Sequence, residues 1–345
     1  MKIAVIGLGS WGTALAKVLV ENGHDVCAWS RDEANVIEIN QYHTNGAYLP
    51  KVALPTALKA TTDLTQALNG AQIILVVVPT KAIRPVMEAI KEELRHLTTH
   101  PIIVHATKGL EQGTHLRVSQ VIEAVLPREL YQEMVVLSGP SHAEEVAKQD
   151  VTTVTAASHS LEAASVVQEA FMNHYFRVYT NTDIIGVEMG AALKNIIALG
   201  AGILAGAGYG DNAKAALVTR GLTEISRLGI RLGADPMTFI GLSGVGDLVV
   251  TCTSVHSRNW QAGNLLAQGK TLADIEQEIQ MVVEGISTCQ AAYELAQQFG
   301  VEMPITAALY GVLYEGISVK DALKQLMLRD GKQEVSLKHV TQNEQ

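Results

Sequence analysis

Residues 5–12 read "VIGLGSWG": a short apolar run, then Gly7, Gly9 and Gly12 in the spacing G-x-G-x-x-G, then the amphipathic segment "TALAKVLVENG". A strand that runs through such a turn directly into a helix leaves few options. Gly7 permits the tight turn, Gly9 lets a pyrophosphate approach the backbone, and Gly12 allows the helix to pack closely on the strand. The helix start adds unpaired N–H groups and the positive end of the helix dipole. A glycine-rich turn with no ligand carries the same letters, but the strand before it and the helix after it favour a dinucleotide site. Ser10 and Trp11 lie inside the loop, placed for the diphosphate and nicotinamide side of such a cofactor.

The pattern continues for half the chain. Apolar runs at 2–7, 25–30, 73–78, 101–106, 134–139, 151–158 and 175–180 alternate with helical segments such as "KAIRPVMEAIKEELRHL". Strands alternating with amphipathic helices predict an α/β domain with a parallel sheet. After "TNTD", where Thr182 or Asp183 can cap a helix, strand-like runs become rare and small-residue helices take over. The expected organisation is therefore a Rossmann-type parallel sheet domain over 1–182 and an all-α domain over 183–345. The polar end "LKHVTQNEQ" is expected to fray. Two domains also suit a chain of 345 residues.

Two apolar segments must be weighed against a signal peptide and a membrane span. The first, 3–6, is shorter than the roughly 7–15 residues of a signal-peptide core, so it reads as the first strand. The second is "GAALKNIIALGAGILAG", whose uninterrupted apolar run after Asn195 falls short of the roughly 18 residues needed to span a bilayer. It reads as a buried helix.

The net charge of −9 argues against general nucleic-acid binding, and a phosphate ligand would need basic residues gathered locally. Cys27, Cys252 and Cys289 are too few and scattered for a disulfide framework or a CxxC site, and no HExxH occurs among the 11 histidines. A reduced cytoplasmic protein without a metal site is expected.

The second strand ends in Trp29-Ser30-Arg31-Asp32. NAD-selective sites usually place an acidic residue here for the ribose 2′-hydroxyl, whereas Arg31 after a small hydroxyl residue suits a 2′-phosphate. Asp32 keeps NADH possible. NADPH is the favoured cofactor.

Several polar residues fall where chemistry would need them, though each also has a plainer structural role open to it. Lys108 follows a strand at the carboxyl edge, or is a solvated loop lysine. Lys194 and Asn195 interrupt a glycine- and alanine-rich helix, which is costly if both are buried without partners. Lys194 can serve as a general acid beside a carbonyl, or both residues can face solvent. The segment 241–259 reads as a loop, with Asp247 as its one acidic group, able to orient an ammonium or a hydroxyl. Ser257, Arg258 and Asn259 open the next helix; Ser257 can be a simple N-cap, and the three together can form a phosphate site. Ser141 with Glu144 reads as a capping box that can also border a ligand.

Taken in order, "GLGSWGTALA", "HATKGLE", "SGPSHAEEVA", "GAALKNIIALGAG", "GLSGVGDLVVTCTSVHSRN" and "VVEGI" resemble bacterial NAD(P)-dependent glycerol-3-phosphate dehydrogenase along nearly the whole chain. The resemblance implies reversible reduction of dihydroxyacetone phosphate to sn-glycerol 3-phosphate for phospholipid synthesis, by a homodimer. It implies cofactor contacts from Ser10, Trp11, Arg31, Lys108, Ala143, Arg258, Val282 and Glu284. Substrate contacts are implied for Lys108, Gly139, Ser141, Lys194, Asp247, Ser257, Arg258 and Asn259, with Lys194 transferring the proton.

Two other functions compete. A β-hydroxyacid dehydrogenase also carries a lysine on its interdomain helix, but usually in Lys-x-x-Asn spacing, and it needs a carboxylate site. A non-catalytic NADPH-binding sensor needs only the glycine loop and leaves Lys194 without a role.

Overall fold

The structure is a computed structural model and describes residues 1–331, 333 and 334. The expectation for the tail at 337–345 lies outside the described residues. Eight strands form one sheet: β1 (Lys2–Ile6), β2 (Asp25–Trp29), β3 (Lys59–Thr61), β4 (Ile73–Val76), β5 (Ile102–His105), β6 (Met134–Ser138), β7 (Thr152–Ala157) and β8 (Phe176–Asn181). Their order is β3-β2-β1-β4-β5-β6-β7-β8. Seven helices lie along this part of the chain: α1 (Ser10–Glu21), α2 (Glu33–Tyr42), α3 (Leu64–Leu68), α4 (Thr80–Leu94), α5 (Val118–Val125), α6 (Ala143–Ala147) and α7 (Leu161–Phe171).

Alternation along β1 shows why both faces of the sheet are covered. Ile3 and Val5 join a core with Leu15, Leu19 and Val167 from α1 and α7. Ala4 and Ile6 join another with Ile83, Met87 and Val121 from α4 and α5. A strand buried on both sides reads as a continuous apolar run rather than an alternating one.

The structure departs from the expected sheet at two places. The edge strand β3 adds to the expected set; it is only three residues long, "KAT", with too little apolar pattern to register. The sheet is also not parallel throughout, because β7 runs antiparallel to β6 in the register Val136↔Ala157. The intervening α6 has five residues, a rise of roughly 7.5 Å. That is too short to carry the chain back along a strand, so β7 returns beside β6 directly.

Beyond β8 the chain is helical: α8 (Ile184–Gly206), α9 (Asp211–Arg231), α10 (Asp247–Thr253), α11 (Arg258–Ala267), α12 (Leu272–Ile279), α13 (Glu284–Phe299), α14 (Pro304–Tyr314) and α15 (Val319–Met327). Asp183, rather than Thr182, caps α8 by accepting from Gly186 N at 2.8 Å. At 23 residues α8 is long and apolar enough to cross a membrane, which corrects the length argument made from the sequence. That argument counted only from Asn195, whereas the helix begins at Ile184 and contains Lys194 and Asn195. Its most apolar window is 94% buried inside the protein. The small residues have a packing reason: a Cβ at Gly202 would lie 1.9 Å from Trp260 O, and one at Gly263 would lie 1.9 Å from Leu199 O. So α8 and α11 cross backbone to backbone.

Candidate active site

The glycine loop meets the geometric demands of a dinucleotide. Gly7 has φ +107°, and a Cβ there would stand 2.4 Å from Val77 O. A Cβ on Gly12 would stand 1.9 Å from Gly7 O, so the loop closes only without side chains. Gly9 differs, for nothing lies within 4 Å of its Cβ position. As the N-cap of α1 it provides no side-chain bond, leaving the first-turn N–H groups available. Trp11 Nε1 in the same turn is buried without a partner. An open cradle, unsatisfied donors and an orphaned indole N–H fit a dinucleotide bound at the helix start. Ser10 Oγ donates to Tyr48 O at 2.7 Å.

At the end of β2, Asp32 is occupied as the N-cap of α2, accepting from Ala34 N at 3.0 Å and Asn35 N at 3.4 Å. Arg31 is exposed. Ala143, at the start of α6, is buried in the core shared with α1.

The polar residues of the second half converge on one carboxylate. Asp247 is 1% exposed. Its Oδ2 accepts from Lys108 Nζ at 2.7 Å, and its Oδ1 accepts from Lys194 Nζ. Lys108 also reaches Gly139 O at 3.2 Å. Thus the loop after β5, the turn after β6, the middle of α8 and the first residue of α10 meet at one point. A buried ammonium, Lys194, and a half-buried one, Lys108, on one carboxylate leave a net positive charge, suited to an anion or to an oxygen gaining charge. Burial pulls the Lys194 amine down to about 8, with Lys108 adding to the fall and Asp247 opposing it. Burial alone would raise the Asp247 carboxyl, but Lys108 and Lys194 hold it below the usual carboxylate range.

Two local expectations change, and one residue joins the site. The segment read as a loop contains a π-type turn over Leu242–Gly246 and then α10, so Asp247 sits on a helix. Helical spacing brings Thr251 one turn on from Asp247, where its Oγ1 accepts from Lys194 at 2.8 Å and donates to Asp247 O at 2.6 Å. Reading "DLVVT" as helical, with Asp and Thr at i and i+4, would have revealed it. The Ser141–Glu144 capping box does not form: His142 is the N-cap of α6 without a side-chain bond, and Ser141 Oγ instead donates to Gly139 O at 2.9 Å.

Ser257 does cap α11, accepting from Trp260 N at 3.3 Å. Asn259 spends its side chain inside the protein: Nδ2 donates to Asn195 Oδ1 at 2.9 Å, and Oδ1 accepts from Gly285 N at 2.8 Å. Arg258 donates to Val282 O at 3.0 Å, and Glu284 accepts from Thr80 N at 3.0 Å. Arg258, Val282 and Glu284 therefore gather over the start of α4, next to Gly109 of the Lys108 loop.

With this geometry established, known proteins supply the decisive comparison. The family described as NAD-dependent glycerol-3-phosphate dehydrogenase N-terminus matches residues 2–164, and its C-terminus counterpart matches residues 183–324. The chain belongs to this family. A protein of Enterococcus faecalis named glycerol-3-phosphate dehydrogenase [NAD(P)+] is 63% identical over 96% of this chain and 97% of its own. A protein of the same name from Ligilactobacillus salivarius is 58% identical over 97% and 99%. The crystal structure of glycerol-3-phosphate dehydrogenase from Coxiella burnetii superposes with TM-score 0.89 at 39% identity, covering 95% of this chain and 99% of that one.

Proposed function

We propose that this protein catalyses the NAD(P)H-dependent, reversible reduction of dihydroxyacetone phosphate to sn-glycerol 3-phosphate, supplying phospholipid synthesis, with NADPH as the preferred donor. The carrying observation is the Lys108–Asp247–Lys194 junction beside the Ser257-capped start of α11. In this reading residues 1–182 hold the dinucleotide and 183–345 supply the helical substrate domain. The working form is a cytoplasmic homodimer.

The nicotinamide supplies hydride to C2 of the ketone when bound. Everything else falls to the chain. The loop glycines, Ser10 and Trp11 seat the dinucleotide, and Arg31 stands ready for a 2′-phosphate. Arg258, the backbone N–H groups of α11 and its dipole hold the substrate phosphate, which fixes C2 in place. The side chain of Asn259 contributes through its bonds to Asn195 and Gly285, holding α11 against α8. Lys194 stabilises the C2 oxygen as it gains charge and gives it a proton; in the reverse direction the neutral amine removes that proton. An amine pulled down to about 8 serves both directions near neutral pH. Lys108 adds positive field, and Asp247 fixes both amines.

The test is NADPH oxidation by the purified protein with dihydroxyacetone phosphate, compared with Lys194→Ala. A fall in kcat of roughly 10²–10⁴-fold with NADPH binding intact is expected. A cofactor-binding wild type without turnover refutes the reading, and an undiminished variant removes Lys194 from it. Sedimentation at assay concentration tests the dimer.

A further inference from the structure

Outside the reaction centre a charged cluster built on a buried carboxylate joins the two halves of the protein. Glu188 lies on α8, 5% exposed. Its Oε1 accepts from Ser119 N at 2.7 Å, and its Oε2 accepts from Ser119 Oγ at 2.6 Å and from the Arg117 guanidinium. His105 Nε2 lies 3.2 Å from Oε1 and is fully buried. Every one of these partners belongs to the sheet half. His105 is the last residue of β5, and Arg117 and Ser119 stand at the start of α5.

The position of this cluster matters more than its charge. Lys194 lies six residues further along α8, about 9 Å along the axis. On the other side, Lys108 opens the loop that Arg117 closes. That loop is held as a unit: Leu110 and Arg117 form a bridge, and Glu111 N donates to Leu116 O at 2.9 Å. Arg84 fixes its flank through two bonds to Glu111, at 2.9 and 2.7 Å. This carboxylate thus hydrogen-bonds the helix carrying Lys194 to the far end of the segment carrying Lys108, while His105, just before that segment, lies against it. Burial alone would raise the Glu188 carboxyl, but His105, Arg117 and Ser119 bring it down to about 2, so it stays ionised wherever the enzyme works.

We propose that Glu188 is a positioning residue: it sets the separation of the Lys108 loop and α8 so that Lys108 and Lys194 both reach Asp247. It touches neither substrate nor cofactor. The proposal rests on the dehydrogenase reading above. Misplacing a reacting group by about 1 Å can cost roughly 10²-fold in rate, and the Glu188 carboxylate adds a directional hydrogen-bonded tie at this turn of α8 to the apolar packing of Leu110 on Met189 and Leu193.

The experiment compares wild type, Glu188→Gln and Ser119→Ala at a temperature where near-UV circular dichroism shows each folded. It measures kcat and KM for dihydroxyacetone phosphate reduction, NADPH affinity by tryptophan fluorescence, and the alkaline limb of the kcat/KM profile. That limb reports Lys194, whose charged neighbours are Asp247 and Lys108, with His142 nearby. For Glu188→Gln the expected result is a fall in kcat of roughly 10–100-fold. NADPH affinity should stay within about twofold, and the limb should move to lower pH as Lys194 loosens from Asp247. Ser119→Ala keeps the ion pair and should move the same quantities less far; if Glu188→Gln does not fold, this variant decides. A folded variant with wild-type kcat and limb overturns the proposal. So does a loss of rate that only follows loss of folded protein, with the limb in place. Wild type without turnover would instead refute the underlying reading.

Discussion

Lys108 Nζ stands 2.7 Å from Asp247 Oδ2, the carboxylate oxygen opposite the one that Lys194 occupies. The first lysine comes from a loop at the sheet edge and the second from the central helix, so one aspartate joins the two halves at the reaction centre. In a chain of net charge −9, two lysines converge here on one carboxylate.

The depressed Lys194 amine fixes a pH dependence. With Lys194 as the proposed proton donor, reduction needs the protonated amine, so kcat/KM should fall above about pH 8, close to tenfold per pH unit. Oxidation of glycerol 3-phosphate, with Lys194 as the base, needs the neutral amine and should rise close to tenfold per pH unit up to about pH 8, then level off. Stability carries a related sign. The unfolded chain holds this proton more tightly, so between about pH 8 and 10.5 unfolding takes up a proton and stability rises with pH. Rate profiles in both directions check the first pair of expectations. A reduction rate flat to pH 10 would count against Lys194 as the donor.

Asp247→Asn keeps the shape of the junction and removes its charge. The buried Lys194 ammonium is then left without its counter-ion, which should cost about 3–5 kcal/mol of stability. Lys194 loses the group that holds its proton, so the alkaline limb should move below pH 8 and kcat should fall by roughly 10²-fold or more. Denaturant melts and the kcat/KM profile measure the two effects separately.

The parts legible in the sequence are those with local rules. A strand, a G-x-G-x-x-G turn and a helix specify one another within a dozen residues, and an alanine-rich helix with one lysine advertises a buried cost. Contacts between distant segments are not legible. Nothing in the letters around Asn259 indicates that its amide faces Asn195 and Gly285. Glu188 looks like an ordinary helical glutamate, because its partners lie 69 and 71 residues away. Thr251 is hidden for a local reason, since the glycines before and the serines after the short helix "DLVVTCT" make the whole segment look like a loop. The β6–β7 reversal depends on the length of α6, a boundary that propensity places poorly.

Cofactor preference should follow Arg31. It is exposed at the end of β2, while the neighbouring acid, Asp32, is engaged in capping α2. Arg31→Ala should lower kcat/KM for NADPH by roughly 10- to 100-fold, the loss of one charged hydrogen bond of about 1.5–3 kcal/mol. The NADH value should change little, because its ribose offers no phosphate. Equal losses with both cofactors would place Arg31 outside the 2′-phosphate site, and steady-state kinetics with each nucleotide distinguishes the outcomes.

The glycine loop offers a sharper test, because two of its glycines should fail in different ways. A Cβ at Gly12 would sit 1.9 Å from Gly7 O, a clash already present without cofactor. Gly12→Ala should therefore lower the thermal midpoint, with a cost of about 1–3 kcal/mol from overpacking, and lose NADPH binding with it. Gly9 has φ −69°, and nothing lies within 4 Å of its Cβ position, so the fold alone tolerates a side chain there. Gly9→Val should melt close to wild type yet bind NADPH far more weakly, since its side chain fills the space the pyrophosphate needs. Differential scanning fluorimetry with and without NADPH reads both properties in one experiment: a lowered midpoint for Gly12→Ala, and for Gly9→Val a normal midpoint that NADPH no longer raises. If Gly9→Val keeps the full cofactor-induced shift, the pyrophosphate does not lie against this turn.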